Sequence, residues 1–312
     1  MLCVLAGGVG AARFLRGLVR VVDPTEVVAV VNVGDDVTRH GLHVSPDLDS
    51  ITYWLAGVIH PEQGWGRADE TFTVAAELER FGETRWFTLG DRDLATHVFR
   101  TKRLAEGAPL SQVTAEVTRA FGLAVTLLPV TDDPVATRVA TEDGRDLHFQ
   151  EYWVGERAAP AVAGVHLAGA DTARPAPGVV EAILDADAVL VAPSNPVVSI
   201  GTVLAVPGVV EAVRRTTAPV VGVSPIVGGS VVRGMADRLL PAVGVEVSAL
   251  GVARHYAGWL DGWVLDTSDA DLADDVAALG VAVEVTDTIM DDADVAADLA
   301  RTCLDLAGRV AR

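Results

Sequence analysis

The chain has 312 residues, 50% of them hydrophobic, and carries 24 Lys and Arg against 43 Asp and Glu, a formal net charge of −19. That content is enough to bury a large core and excludes disorder over most of the length. An evenly acidic surface repels nucleic-acid backbones and anionic lipid, so neither is an expected partner, and an anionic ligand has to be held by a local device such as a helix N-terminus, arginines or a metal ion.

The opening "MLCVLAGG" has no charged leader and no run reaches the ~18 apolar residues of a membrane span. Only two cysteines occur, Cys3 and Cys303, which offers no disulfide framework or zinc site. A cytoplasmic protein is expected. Apolar, β-branched runs predict strands over 2–5, 27–31, 188–192, 220–223 and 281–285. Amphipathic segments at 11–22, 208–216 and 294–308 predict helices between them. That alternation predicts an α/β fold, a doubly wound, mostly parallel Rossmann-like sheet covered by helices, with ligands at the C-terminal strand ends.

At the first strand-to-helix turn stand Gly7, Gly8 and Gly10. Lacking Cβ atoms, they let backbone N–H groups approach an anion at the positive end of a helix. Arg13 occupies the third position of a dinucleotide G-x-G-x-x-G, Asn32 rather than an acid ends the second strand, and no G-K-[ST] follows. A nicotinamide oxidoreductase and a Walker NTPase are therefore disfavoured. Placed in the first helical turn, Arg13 would oppose the dipole unless an anion compensated it.

The loop after the second strand, "NVGDDVTRHGLHVSPDLDS", gathers Asp35, Asp36, Asp47 and Asp49 with His40 and His43. Carboxylates at the sheet edge beside a phosphate turn suit Mg²⁺ bridged to a diphosphate. Taken singly, Asp47 or Asp49 equally suits the cap of a helix beginning near Ser50.

Residues 71–120 read as helical, with Ser111 placed to cap "SQVTAEVTRAF", and 135–154 as a β-hairpin turning at Asp143-Gly144. Residues 60–160 are thus expected to form a helical and β-hairpin insertion, with 168–180 returning the chain to the sheet. Within that insertion "LGDRDLATHVFRT" sets Asp93, Thr96, His97 and Arg100 on one helical face beside Asp91 and Arg92. Such a charged face is ordinarily solvated. Two later loops, "APSNPVVSIG" and "VSPIVGGSVVRG", bring Asn195, Ser199, Ser224 and Gly228 to the strand ends as candidate donors to a nucleotide.

With these stretches the chain resembles the transferases that build the deazaflavin coenzyme F-420, called 2-phospho-L-lactate transferase in methanogens and phosphoenolpyruvate transferase in actinobacteria. The motifs "GGVGAARF", "NVGDD", "PDLDS", "GWGRADET", "LGDRDLATH", "LPVTDD", "HFQEYWV", "APSNPVVSIG", "SPIVGG" and "GMAD" carry the likeness, which is least distinct after Ala236. It implies a Mg²⁺-dependent transfer from a lactyl- or enolpyruvyl-diphosphoguanosine to the 5′-hydroxyl of Fo, with GMP leaving. The Ala-, Val- and Arg-rich, Lys-poor composition looks actinobacterial and favours the enolpyruvyl donor.

On that resemblance Gly8, Val9, Gly10 and Arg13 are expected to hold the diphosphate and Asp35 and Asp49 the Mg²⁺, with Asp36 or Asp47 as base or supporting carboxylate. Asp91, Arg92 and His97 would face Fo, and Asn195 with Ser199 the guanosine, in a single domain of residues 1–312 whose 60–160 insertion serves the acceptor. A homodimer is the default expectation. The chain also looks like nucleotide-sugar-binding regulators that open on a similar glycine turn; "LGDRDLATH" and "HFQEYWV" set it apart from them.

Overall fold

A computed structural model of the protein describes residues 1–311. Seven strands form the central sheet: β1 (Leu2–Ala6), β2 (Val27–Val31), β3 (Thr126–Pro129), β4 (Ala188–Val191), β5 (Val220–Val223), β6 (Gly262–Asp266) and β7 (Ala282–Thr286). Their order is β7-β6-β5-β4-β1-β2-β3, and every neighbouring pair is parallel. The chain leaves β1 toward β2 on one side and returns to β4 on the other, so the strand order reverses between β1 and β4. A ligand crevice opens at such a reversal.

All five strands anticipated from apolar runs lie in this sheet. Two more, β3 and β6, carry weaker signals. β3 reads "TLLP", and its Pro129, which cannot donate to a ladder, is tolerated because β3 is an edge strand. β6 begins at Gly262, where an added Cβ would stand 2.9 Å from Leu306 Cδ2.

Helix α1 (Gly8–Leu18) buries Ala11, Phe14, Leu15 and Leu18, the i, i+3, i+4, i+7 stripe of an amphipathic helix. It packs between helix α2 (Pro46–Leu55) and the C-terminal helix α4 (Ala293–Val310). Among the described residues no helix is long and apolar enough to cross a membrane.

The hairpin forms as anticipated, Ala136–Thr141 against Asp146–His148, with Gly144 at φ +85° in its turn. It does not extend to 154: residues Glu151–Gly155 wind into a π-turn. A third strand, Val162–Ala168, pairs antiparallel with Ala136–Thr141. A second small core of Val139, Phe149, Tyr152, Val198, Met235 and Leu239 fixes this sheet against the rest of the chain.

Residues 60–160 also supply β3, and so are part core and part appendage. Within them lie helix α3 (Asp91–Ala105) and the helix Leu110–Ala120. Ser111 is not the N-cap of the latter. It sits inside the first turn, and its N–H and hydroxyl both bond to Asp132, at 2.6 and 2.8 Å, so a carboxylate from the loop after β3 serves that helix end.

Candidate active site

A cleft of about 950 Å³ opens at the C-terminal ends of the sheet over the β1/β4 reversal. Gly8, Val9, Gly10 and Arg13 line it. Gly7 donates its N–H to Ser194 Oγ at 3.3 Å, and a Cβ on Gly10 would fall 2.2 Å from the Pro193 carbonyl oxygen. The turn after β1 and the loop after β4 are therefore in backbone contact, which only glycine permits.

Arg13 is not in the first turn of α1, which begins at Gly8, so the dipole argument for it lapses. It reaches the cleft from the second turn, donating to the Met290 carbonyl at 3.3 Å with its guanidinium 5.4 Å from the Trp54 ring centre.

The acidic loop resolves into three different situations. Asp35 and Asp47 are buried, line the cleft and share one donor: Asn32 Nδ2 bonds to Asp47 Oδ2 at 2.9 Å and to Asp35 Oδ1 at 3.3 Å. Gln150 Nε2 holds the other Asp35 oxygen at 3.2 Å. Burial and then the neighbouring Asp47 push the Asp35 carboxyl well above the usual range. Burial, with the charge of Asp36 adding, pushes Asp47 up to about 6, although hydrogen bonds from Asn32 and the Gly8 N–H oppose it. Two such carboxylates, desolvated side by side, call for a cation or a shared proton.

Asp36 turns away from the cleft. Its Oδ2 lies 2.8 Å from both His43 Nε2 and Ser45 Oγ, so of the two carboxylates expected as base or supporting partner only Asp47 lines the cleft. Asp49 lines the cleft, but both its oxygens are held by Arg100, Oδ2 by Nη1 at 3.1 Å and Oδ1 by Nη2. This bidentate pair neutralises the carboxylate that was expected to bind metal. Helix α2 starts at Pro46 rather than near Ser50, with Ser45 as N-cap, so Asp47 and Asp49 lie in its first turn rather than capping it.

The charged face of α3 is buried, where such faces are ordinarily solvated: His97 is 1% and Arg100 2% exposed, with Asp93 and Thr96 also buried. It packs on α2, where Tyr53 Oη lies 2.7 Å from Asp93 Oδ1 and 2.9 Å from Thr96 Oγ1. Burial alone would raise Asp93, but His97, Tyr53 and Arg100 outweigh it and hold its carboxyl below the usual range. His97 lines the cleft, with Nε2 3.3 Å from Asp93 Oδ1 and Nδ1 3.6 Å from Asp49 Oδ2.

Asp91 and Arg92 do not face the cleft. Asp91 accepts from Thr71 Oγ1 at 2.6 Å and from the N–H groups of Thr73 and Val74 at 3.0 and 3.1 Å, anchoring the start of helix Thr73–Arg80. Arg92 points to Asp69, 4.0 Å away. On the far side Asn195, Ser199 and Ser224 line the cleft. Asn195 Oδ1 is committed to the N–H groups of Val197 and Val198, and Ser224 Oγ to the Ile226 carbonyl. Gly228 lies outside, in the turn between Ile226–Val227 and Ser230–Val231, giving its N–H to Asp269 at 3.0 Å.

Sequence reasoning missed Asn32 as the bridge of the acidic pair. It also missed Arg67 and Arg233, and the aromatic wall of Trp65, Phe72, Phe87, Phe149 and Trp153. The signal for Trp65 was present in "GWGRADET": an indole flanked by glycines has no regular element in which to bury itself. Among the described residues no three His, Cys, Asp or Glu side chains converge as a ready-made metal cluster. Two carboxylates with substrate oxygens and water nonetheless suit Mg²⁺, which keeps several waters and rarely takes an all-protein cage.

Over residues 2–301 the sequence matches the family described as 2-phospho-L-lactate transferase CofD. It is 52% identical to the phosphoenolpyruvate transferase of Kitasatospora aureofaciens, covering 98% of this chain and 97% of that one. It is 53% identical to the phosphoenolpyruvate transferase of Streptomyces coelicolor, covering 98% of each. The crystal structure of a UPF0052 family member from Bacillus halodurans superposes with a TM-score of 0.66 at 18% identity, covering 97% of this chain and 98% of that one, a likeness of fold alone. The chain belongs to the 2-phospho-L-lactate transferase CofD family.

Proposed function

We propose that this protein transfers a phosphoenolpyruvyl group from a guanosine diphosphate conjugate to the 5′-hydroxyl of the ribityl chain of Fo, releasing GMP, in coenzyme F-420 biosynthesis. The 2-phospho-L-lactyl donor is the alternative substrate of the same chemistry. The acceptor oxygen attacks the phosphorus that bears the enolpyruvyl ester, and the bridging oxygen departs with GMP. Such a transfer depends on alignment and charge stabilisation more than on a strong base.

The observation that carries the reading is the apposition of the acidic pair to the glycine turn. A Cβ on Gly7 would lie 2.9 Å from Asp47 Oδ2, so a phosphate drawn to the N-terminus of α1 meets a carboxylate there. A cation between the two anions makes them compatible while both stay charged.

Asp35 and Asp47 would hold that Mg²⁺, which when bound neutralises charge on the diphosphate. Asn32 and Gln150 orient the two carboxylates. Gly8 and Gly10 let the backbone approach the phosphates, and Asn195 and Ser199 stand beside them toward the nucleoside. Trp65, Phe87 and Trp153 offer flat apolar faces to the tricyclic acceptor.

The names borne by the relatives favour the enolpyruvyl donor. The test is mass spectrometry of the product formed from Fo, Mg²⁺ and each donor in turn. The enolpyruvyl product is lighter than the lactyl one by two hydrogens, and no adduct from either donor refutes the assignment.

A further inference from the structure

Many arginines of this acidic chain are tied to carboxylates, as Arg100 is to Asp49 and Arg103 to Glu116. Arg13 and Arg233 both line the cleft, and among the described residues neither has an ion-pair partner. Arg13 Nε is buried with no hydrogen-bond partner. Arg233 comes from the loop before the helix Ala236–Leu239 and crosses the cleft mouth to the 60–67 loop. There Nη2 donates to the Gln63 carbonyl and the guanidinium stacks 4.9 Å from the Trp65 ring centre.

Its place relative to the glycine turn is fixed by Gly64. A Cβ added there would meet Arg233 Nη1 at 2.8 Å and Val9 Cγ1 at 3.4 Å, so the guanidinium and the turn after β1 flank the same residue. Burial, and then the charge of Arg13, make Arg233 easier to deprotonate than a free arginine. Two like charges thus share one cleft, and among the described residues the second has the Gln63 carbonyl as its hydrogen-bond acceptor. An anion between them relieves that repulsion and completes both guanidinium forks.

We propose that Arg233 is a donor-binding residue that, with Arg13, grips the second phosphate of the nucleoside diphosphate donor, and that Trp65 and the Gln63 carbonyl hold it ready for this. The inference rests on the donor assignment above and deepens it: the nucleoside monophosphate that leaves lacks the group this fork recognises. The fork thereby distinguishes donor from leaving group.

The experiment is calorimetric titration of the full chain with GDP and with GMP, in Mg²⁺, for the wild type, Arg233→Gln, Arg233→Lys and Trp65→Ala. The wild type is expected to prefer GDP. Arg233→Gln should weaken GDP by about tenfold or more while changing GMP by less than about twofold. Arg233→Lys should recover part of the loss, because it restores the charge without the planar fork. Trp65→Ala should weaken GDP with the same selectivity, and its exposed position makes a folding defect in that variant unexpected. In steady state the KM for the donor should rise in Arg233→Gln with the KM for Fo unchanged. A GDP-to-GMP preference that survives in Arg233→Gln overturns the inference and leaves the donor assignment standing. A wild type that binds no GDP overturns both.

Discussion

The most informative residue is Asn32, because one amide bridges two buried carboxylates that otherwise repel. Asparagine at the end of β2 reads in sequence as a missing dinucleotide signature; in space it holds the acidic pair in register. Asn32→Ala should therefore lower transfer by about 10-fold to 100-fold, the usual cost of losing a partner of a metal-ligating group, with the defect partly recovered at high Mg²⁺. Initial rates over a Mg²⁺ series decide this, since a loss independent of Mg²⁺ would assign Asn32 a purely structural role. Asp35→Asn should be more severe in activity yet gentle on the fold. Removing one of two desolvated like charges takes away a cost that the cation-free protein bears, so its melting temperature without Mg²⁺ should equal or exceed that of the wild type. Of the aspartates singled out in the sequence, Asp36 and Asp49 could not be sorted from Asp35 and Asp47. Their partners, His43 and Arg100, are separated from them along the chain by 7 and 51 residues.

At the scale of elements, α2 and α3 meet through buried polar groups instead of an apolar seam. Tyr53 from α2 sits against Asp93 from α3, and Asp49 against Arg100. The helical spacing of Asp93, Thr96, His97 and Arg100 was legible, but its burial was not, because nothing local distinguishes a solvated charged face from one that meets complementary charge on another helix. Asp93 has a carboxyl held below its ordinary value. Its contribution to stability is thus fully present above the unfolded value of about 3.9 and is lost as pH falls through the lower folded value. Tyr53→Phe removes one of the groups that lower it. The variant should lose about 1.5–3 kcal/mol at neutral pH, the range for a hydrogen bond to a charged group, and its acid unfolding midpoint should move to higher pH. Urea melts at pH 7 and pH 4 would show both effects, and a midpoint that stays put would contradict the account of Asp93. Helices α1 and α4 illustrate the opposite kind of contact: a Cβ on Gly17 would fall 2.3 Å from the Ala296 carbonyl carbon and oxygen. Gly17→Ala gains ~1 kcal/mol of helix propensity but forces two backbones apart, an overpacking cost of ~1–3 kcal/mol. Net destabilisation is the expected outcome, read from the urea midpoint.

The whole molecule places its chemistry where the strand order turns back, between β1 and β4, and closes the cleft with loops that belong to neither half of the sheet. The parallel core was readable because strands buried on both faces are written as unbroken apolar runs. The cleft walls were not, since Trp65, Arg67 and Arg233 lie in irregular segments whose positions follow from tertiary contact alone. This division of labour has a thermodynamic consequence. On the proposed function Asp35 and Asp47 would supply only two carboxylates to a hard cation that takes about six oxygen ligands, so the remaining oxygens would come from the diphosphate and water. Mg²⁺ and GDP should then bind cooperatively: each alone at millimolar concentration raises the melting temperature little, while together they stabilise by more than the sum of the two. Ligand at ~100 times its dissociation constant contributes ~2.7 kcal/mol, a shift of about 5–11 °C at the ~2–4 °C per kcal/mol of larger domains, and chelation by EDTA should abolish most of it. The same cooperativity should vanish in Asp35→Asn, which leaves the glycine turn intact but removes one ligand. If GDP without Mg²⁺ gives the full shift, the anion is held by the turn and the arginines unaided, and the acidic pair has no part in binding it.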